Sequence, residues 1–476
     1  MKILLFILAL IVLLLLVLLV RTLLLKPDSA TTATIEFISG ERADTYAKKL
    51  ATMVQKETIS SRFDNDRTKF LEFHQVLVDL FPHTFNTCEK HVFDGSLLLK
   101  WPGKSAADPV LLMSHTDVVE AGGDWTHPPF SGEIKDGIIW GRGTVDTKGS
   151  LSCIFNAVEE LIAEGYVPKS DVYIASSCTE EISGDGAPAT VRFLKEKNVH
   201  LRFLIDEGGM ILSDPIGGVK GTYAMVGVLE KGYGDLKFIA KGKGGHASAP
   251  GKNTPIPRLA KFVARIEKKS PFTVSFHPTA KEMFRRFTPN MTFPMKFIFA
   301  NMWLFEPLLK KVMPSISPTG AAMLQTTMAF TMAKGSDGLN VLPQEASVSA
   351  NMRFIHHQST DESIRLVSEI AKEYDLETNI IYKNYPVSVV DYNSEQFKLV
   401  EDVIHDIYPG VGVIPYPMTG GTDAKFYQDV CEHCIRFAPL YINNQQYGSI
   451  HGIDENIDAK ALPQGVDFYK EVIQRL

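Results

Sequence analysis

The chain predicts an α/β fold: a largely parallel sheet with flanking helices, interrupted by an inserted α+β domain and preceded by one membrane-spanning helix. Three observations carry this. Short apolar runs alternate with stretches of helical period between 110 and 205, a second strand–helix pattern begins near 227, and residues 3–20 are unbroken apolar sequence. At 476 residues the chain exceeds one ordinary core, so more than one folded unit is expected.

Taken in order, the apolar run 3–20 is 18 residues long and is followed by Arg21 and Lys26. That suffices for a transmembrane helix and is long for a signal-peptide core, and no small-x-small cleavage site follows. It is read as an uncleaved anchor over 1–26. Lys2 and the amino terminus balance Arg21 and Lys26 across the span, so charge fixes the orientation poorly. A short cytosolic tail would place the large domain outside the cytosol, extracellular or lumenal. A polar linker is expected over 26–34, then helices over 41–55 and 67–80. Strands are expected at 110–113, 138–140, 172–175 and 203–205, with helices over 151–163 and 189–197 between them. Periods of 3.6 and short buried runs support each. A second unit starts at 227, with a strand over 236–240, a helix capped by Thr254 through 268 and a returning strand over 347–354. The division is therefore 35–226 and 355–476 for a discontinuous catalytic domain, with 227–354 inserted. A helix over 461–476 closes the chain.

Composition narrows the function. A net charge of −6 gives no basic footprint, which argues against a nucleic-acid partner. Five cysteines, odd in number, make no disulfide framework. Cys431 and Cys434 form a lone CxxC, read as ordinary thiols or one local disulfide before a structural zinc. Asn290-Met291-Thr292 is a possible glycosylation sequon.

Acids and histidines recur where apolar runs end: His115 and Asp117, Asp146 after a glycine-rich turn, Glu180-Glu181, Asp206-Glu207 and, far downstream, His451. No nucleophilic Ser or Cys pattern accompanies them. Carboxylate and imidazole are the ligand set of a divalent metal, and one bridging carboxylate would let two metals share it. In an open α/β sheet the carboxyl ends of strands are where such residues converge. Asp117, two residues from His115, would hold its tautomer. Adjacent acids repel, and a cation or shared proton relieves that cost, so one of Glu180 and Glu181 suits metal ligation and its neighbour proton transfer. Singly, each cluster also fits a polar loop.

Together with Pro128-Pro129-Phe130-Ser131-Gly132, Gly141-Arg142-Gly143-Thr144-Val145-Asp146 and Trp303-Leu304-Phe305-Glu306-Pro307, these clusters resemble the M20 family of dinuclear zinc hydrolases, which includes aminoacylases and carboxypeptidase S. The resemblance runs through nearly the whole chain after the anchor and is strongest to its N-fatty-acyl-amino-acid synthase/hydrolase branch. It implies a zinc-peptidase-like fold and two Zn²⁺ per subunit. By it, His115 binds one zinc, Asp146 bridges, and Glu181 and His451 serve the other. Asp117 orients His115, and Glu180 is the general base. Asp206 is taken as the remaining ligand, with Glu207 the alternative. His246 would reach a neighbouring subunit's site in a homodimer, through an inserted lid and dimerisation domain. Asn340 and Arg353 would hold a substrate carboxylate, and Gly421 would wall the same pocket.

The activity so implied is hydrolysis of the amide bond in N-acyl, especially N-fatty-acyl, amino acids, or the reverse condensation. A membrane-anchored carboxypeptidase or dipeptidase is the alternative, and a non-catalytic metal-binding protein a second. Eight of the fifteen methionines lie in 283–332. This segment fits helical core packing, an acyl-chain surface, or contact with a membrane near the anchor.

Overall fold

A computed structural model describes residues 1–26 and 35–476. The expected linker falls, from residue 27 onward, outside the described residues. The larger sheet has ten strands. Its centre is parallel: Ser170–Ser176, Ser105–Met113, Phe203–Asp206 and Cys434–Arg436 lie side by side. From Pro109 onward in Ser105–Met113, and along nearly all of the other three, their side chains are buried on both faces, as parallel strands require. The sheet as a whole is mixed, which corrects the expectation of a largely parallel one. Glu89–Phe93 and Ser96–Trp101 add an antiparallel hairpin at one edge, and Thr222–Glu230 runs antiparallel to Cys434–Arg436. The hairpin turn is Asp94-Gly95, both at positive φ (46° and 89°), the backbone a tight two-residue turn demands.

Helices cover the sheet. Glu41–Gln55, Lys148–Ala163 and Leu462–Gln474 bury Leu50, Val54, Ile154, Val158, Phe468 and Val472 in one core with the strands. The helices expected at 67–80 and 189–197 are Thr68–Leu80 and Gly186–Glu196. All five cysteines are buried free thiols. Asn290 is buried too, and its amide donates to the Tyr223 hydroxyl at 2.9 Å, which leaves no room there for a glycan.

A second, antiparallel sheet orders Thr327–Lys334, Glu345–Phe354, Gly232–Lys241 and Glu377–Lys383. Helices Pro255–Lys268 and Thr360–Glu373 cover one face, packing Phe262, Ile266, Ile364 and Val367 on Leu236, Phe238 and Met352. Strand membership moves both expected boundaries. Thr222–Glu230 belongs to the large sheet, so the small one starts after residue 230 rather than at 227. Glu377–Lys383 pairs with Gly232–Lys241, so the small sheet extends past 354. Glu377–Lys383 is an edge strand with only one residue out of solvent contact even in part, so its sequence lacks the apolar alternation that would have marked it.

Up to Leu324 the methionine-rich segment leaves this unit; Met328 and Met332 return in its strand Thr327–Lys334. Helices from Pro278–Phe287 to Pro318–Leu324 pack against Tyr223, Met225 and Ile414 of the large sheet, with Met283, Met291 and Met323 buried.

Candidate metal centre

Three neighbouring parallel strands set the position of the acids. Ser170–Ser176, Ser105–Met113 and Phe203–Asp206 finish together, so the loops leaving them bring Glu180-Glu181, His115 and Glu207 to one edge. His115 Nε2 lies 3.1 Å from Asp146 Oδ1 and 3.4 Å from Glu207 Oε1. On the other side of Asp146, His451 Nε2 lies 2.9 Å from its Oδ2 and 3.3 Å from Glu181 Oε2. In each trio, His115–Asp146–Glu207 and Asp146–Glu181–His451, the candidate ligand atoms are all within 4.8 Å of one another. Asp146 belongs to both.

Asp206 does not, which corrects its choice as the fourth ligand over Glu207. Its two oxygens accept the backbone N–H groups of Glu207 and Ala424, each at 2.8 Å. Successive side chains of a strand point to opposite faces, so at this strand end only one of the two acids can face the centre. Asp206 instead ties the 423–429 turn to the sheet.

The acids are held before any ligand arrives. Asp117 accepts the N–H groups of Glu180 and Glu181, both at 3.1 Å, and the Ser60 hydroxyl at 2.7 Å. Its carboxylate is 3.5 Å from His115 Nδ1, whereas its own backbone carbonyl is 2.8 Å away. The imidazole thus leans on the Asp117 main chain, and the carboxylate chiefly fixes the Glu180-Glu181 loop. Glu455 accepts from the N–H of Val145 (2.9 Å) and Asp146 (3.1 Å), and Arg142 Nη1 donates to it at 2.6 Å. Arg142 also donates to the carbonyl of Gly452 at 2.8 Å, tying it to the loop of His451. His451 itself sits at φ 59°, a left-handed conformation costly for a side chain with a Cβ and concentrated at functional sites.

Electrostatics follow from this crowding. Burial raises the Glu207 carboxyl to about 8, with Asp146 adding to the shift against His115. Burial also raises Glu180 well above the usual carboxylate range, opposed by His115 and reinforced by Glu207 and Asp423. Asp146 moves the other way: burial is outweighed by hydrogen bonds from His115 and His451, which hold it well below the ordinary value. Hydrogen bonds to Asp146 and Glu181 raise His451 to about 10. One buried oxygen, Glu181 Oε1, has no hydrogen-bond partner. An orphaned carboxylate oxygen beside trios of carboxylates and imidazoles suits a metal ligand, so these residues fit divalent-metal binding.

The remaining expected residues divide. Arg353 lines the same cavity of about 630 Å³ as Glu180, Glu181, His451 and Gly421. Its guanidinium lies 4.7 Å over the Tyr233 ring. A Cβ at Gly421 would meet nothing nearer than 3.7 Å, so crowding does not require that glycine. His246 and Asn340 are brought together elsewhere: Gly245–His246 pairs with Val341–Leu342, and the Asn340 carbonyl accepts from Ala247 N at 2.9 Å. Both are exposed, and neither lines that cavity.

Sequence reasoning missed Glu455, Arg142 as its partner, Ser60 and Arg62. Arg142 stood inside the glycine-rich motif, but nothing in the sequence tied it to an acid 313 positions away. Arg62, on the loop before Thr68–Leu80, also lines the cavity and carries no local signal.

Comparison with known proteins agrees with this architecture. Residues 111–475 match the model of peptidase family M20/M25/M40. The chain is 33% identical over 466 residues to a probable carboxypeptidase S-like 2 of Dictyostelium discoideum, covering 92% of this chain and 88% of that one. It is also 33% identical over 437 residues to the human N-fatty-acyl-amino acid synthase/hydrolase PM20D1, covering 90% and 86%. Among solved structures it resembles the M20 family metallo-carboxypeptidase Sso-CP2 from Sulfolobus solfataricus, with TM-score 0.68, 16% identity and coverage of 90% and 98%.

Proposed function

Because this chain belongs to peptidase family M20/M25/M40 and is a metallohydrolase of that type, we propose that it cleaves the amide bond of N-acyl, chiefly N-fatty-acyl, amino acids and can run the reverse condensation. The observation that carries the reading is one cavity that joins Glu180, Glu181 and His451 to the Arg353 guanidinium, with Asp146, shared by both trios, 2.9 Å behind His451. A free α-carboxylate on Arg353 would set the scissile amide toward the acids, since an arginine fork binds a carboxylate in two-point fashion. Human PM20D1, similar over most of the chain, adds the fatty-acyl class.

In this reading His115, Asp146 and Glu207 hold one Zn²⁺, and Asp146, Glu181 and His451 hold a second. Bound zinc supplies Lewis acidity and a water acidic enough to lose its proton near neutral pH. Glu180 would hold a proton at its carboxylate and pass it to the departing nitrogen; burial gives it the raised pKa such an exchange needs. Asp117 keeps Glu180 and Glu181 in register. The separation of His246 and Asn340 from their own chain's cavity supports their use across a homodimer, where His246 stabilises the oxyanion of the partner's site. The Lys2–Leu24 helix is read as an anchor, which its apolar length supports, and its short N-terminal tail is taken to put the catalytic domain outside the cytosol.

The test is hydrolysis of N-oleoyl-phenylalanine by the zinc-loaded chain. Release of oleate and phenylalanine, abolished by chelator and by Glu180→Gln, is expected. Cleavage of dipeptides without cleavage of any N-acyl amino acid would instead establish a carboxypeptidase or dipeptidase. The Dictyostelium relative, as similar as the human one, favours that second reading.

A further inference from the structure

The N-terminal helix Lys2–Leu24 is exposed along almost its whole length, with two fully enclosed exceptions: Leu18 at 2% and Thr22 at 0%. They lie one turn apart and meet the folded domain at Phe293–Ala300 and Asn301. The contact is specific. Asn301, itself 0% exposed, points its amide Nδ2 at the Leu18 carbonyl and the Thr22 hydroxyl, 3.2 Å from each. Lys296 donates to the Leu25 carbonyl. The Asn301 amide also donates to the Phe297 carbonyl at 2.8 Å, so Asn301 links the N-terminal helix to the helix Phe293–Ala300 through one buried group.

Beside this contact, Arg21, Leu24 and Leu25 share a cavity of about 630 Å³ with Lys281, Arg285 and Trp303. Trp303 opens the helix Met302–Ile316, which is apolar on two sides. One side buries Leu309 and packs Met302, Phe305 and Met313 against the core. The other exposes Trp303, Leu304, Pro307, Leu308, Val312 and Ile316, broken only by Lys311 and Ser315. On an ordinary surface helix that outer face is polar. Here Trp303 is 58% and Ile316 72% exposed, and no acid shares the face; Glu306 turns aside to pair with Lys281 and Lys310.

We propose that the N-terminal helix is a retained part of the fold, and that Met302–Ile316 lies in the bilayer surface beside it, outer face in lipid, seating the catalytic domain on the membrane. The occupant is the bilayer because the exposed stripe continues from the end of the one helix long and apolar enough to span it among the described residues. Trp303 shares a cavity with Arg21, the cation that closes the apolar run. That puts an indole beside Arg21 and near Lys311 at headgroup level, where tryptophan and lysine or arginine concentrate, with Lys281 and Arg285 beside them paired to Glu306 and Glu282. An enzyme so seated would draw an amphiphilic acyl substrate from the membrane rather than from water.

The inference rests on the anchoring reading above, and the experiment separates the two. The full chain is reconstituted into vesicles of phosphatidylcholine and phosphatidylserine, about four to one, some brominated near the headgroup end of the acyl chain. Flotation and the intact mass report on the anchor. The chain has four tryptophans, so the difference between wild type and Trp303→Phe isolates Trp303. Flotation with the N-terminal helix present, bromolipid quenching that vanishes in Trp303→Phe, and loss of that quenching in Leu304→Glu/Leu308→Glu with flotation kept are expected. A chain that floats while Trp303 stays unquenched overturns the surface helix and leaves the anchor standing. A Trp303→Cys variant that links to a second copy also overturns it, in favour of a self-association face. A chain lacking residues before 27, or failing to float, overturns both.

Discussion

The floor beneath the cavity, where the acids meet, and the inserted small-sheet region are built on opposite plans. On the floor, the loops that carry the acids are fixed by main-chain donors or a buried ion pair: the Glu180-Glu181 loop by Asp117, itself held by Ser60, and Asp146 through Glu455 and Arg142. Toward the small sheet, Arg353 rests on Tyr233 and Asn351, and His246 and Asn340 stand exposed on a two-stranded finger. The difference teaches a division of labour. Charges that must converge without a cation present need an imposed geometry, whereas residues that meet substrate must be free to close on it. Floor substitutions should therefore cost turnover, metal or stability, and substitution of Arg353 should cost substrate affinity.

The largest effect belongs to Glu180→Gln, which keeps the shape and removes the proton carrier. A loss in kcat of about 10²–10⁴-fold with little change in KM is expected in steady-state kinetics on N-oleoyl-phenylalanine. A rise in KM with kcat intact would place Glu180 among the binding residues and erase the division. Next comes Glu455→Gln, which leaves Arg142 buried beside a neutral amide. Breaking a buried pair costs about 3–5 kcal/mol, so the urea midpoint should fall clearly. The metal content measured in native buffer should drop with it, because Asp146 and the His451 loop lose a shared tether. Arg353→Lys is smaller: about 1.5–3 kcal/mol for the lost two-point hydrogen bonding, read as a rise in KM with stability and bound zinc unchanged.

How much of this was legible in the sequence follows the same division. Strand-end placement of His115, Glu180 and Glu181 was readable because short apolar runs mark parallel strands, and their ends mark the site. The mixed character of the sheet was not, since pairing direction leaves no trace in a buried strand's composition. Asp206 against Glu207 was undecidable for a related reason: side-chain parity at a strand end depends on the residue where the strand stops. Glu455 was invisible because its role lies in two backbone N–H groups and an arginine remote in sequence. The edge strand Glu377–Lys383 escaped because exposure on both faces removes the alternation that betrays a strand.

The smallest prediction tests whether the floor alone carries the metal. Without a cation, hydrogen bonds to Asp146 and Glu181 raise His451 to about 10, and burial raises Glu207 to about 8. At pH 7 both therefore hold protons, and both must give them up to ligate. Zinc binding should release protons, and apparent affinity should climb as pH rises from 6 toward 8, by roughly tenfold per pH unit for each proton released. Titration calorimetry of the metal-free chain in two buffers of different ionisation enthalpy measures the release directly. Arg353→Lys and His246→Ala should leave it unchanged, while Glu207→Gln should reduce it by the proton that Glu207 no longer carries. Equal heats in both buffers would mean that the floor meets the metal already deprotonated, and that burial does not set its charge.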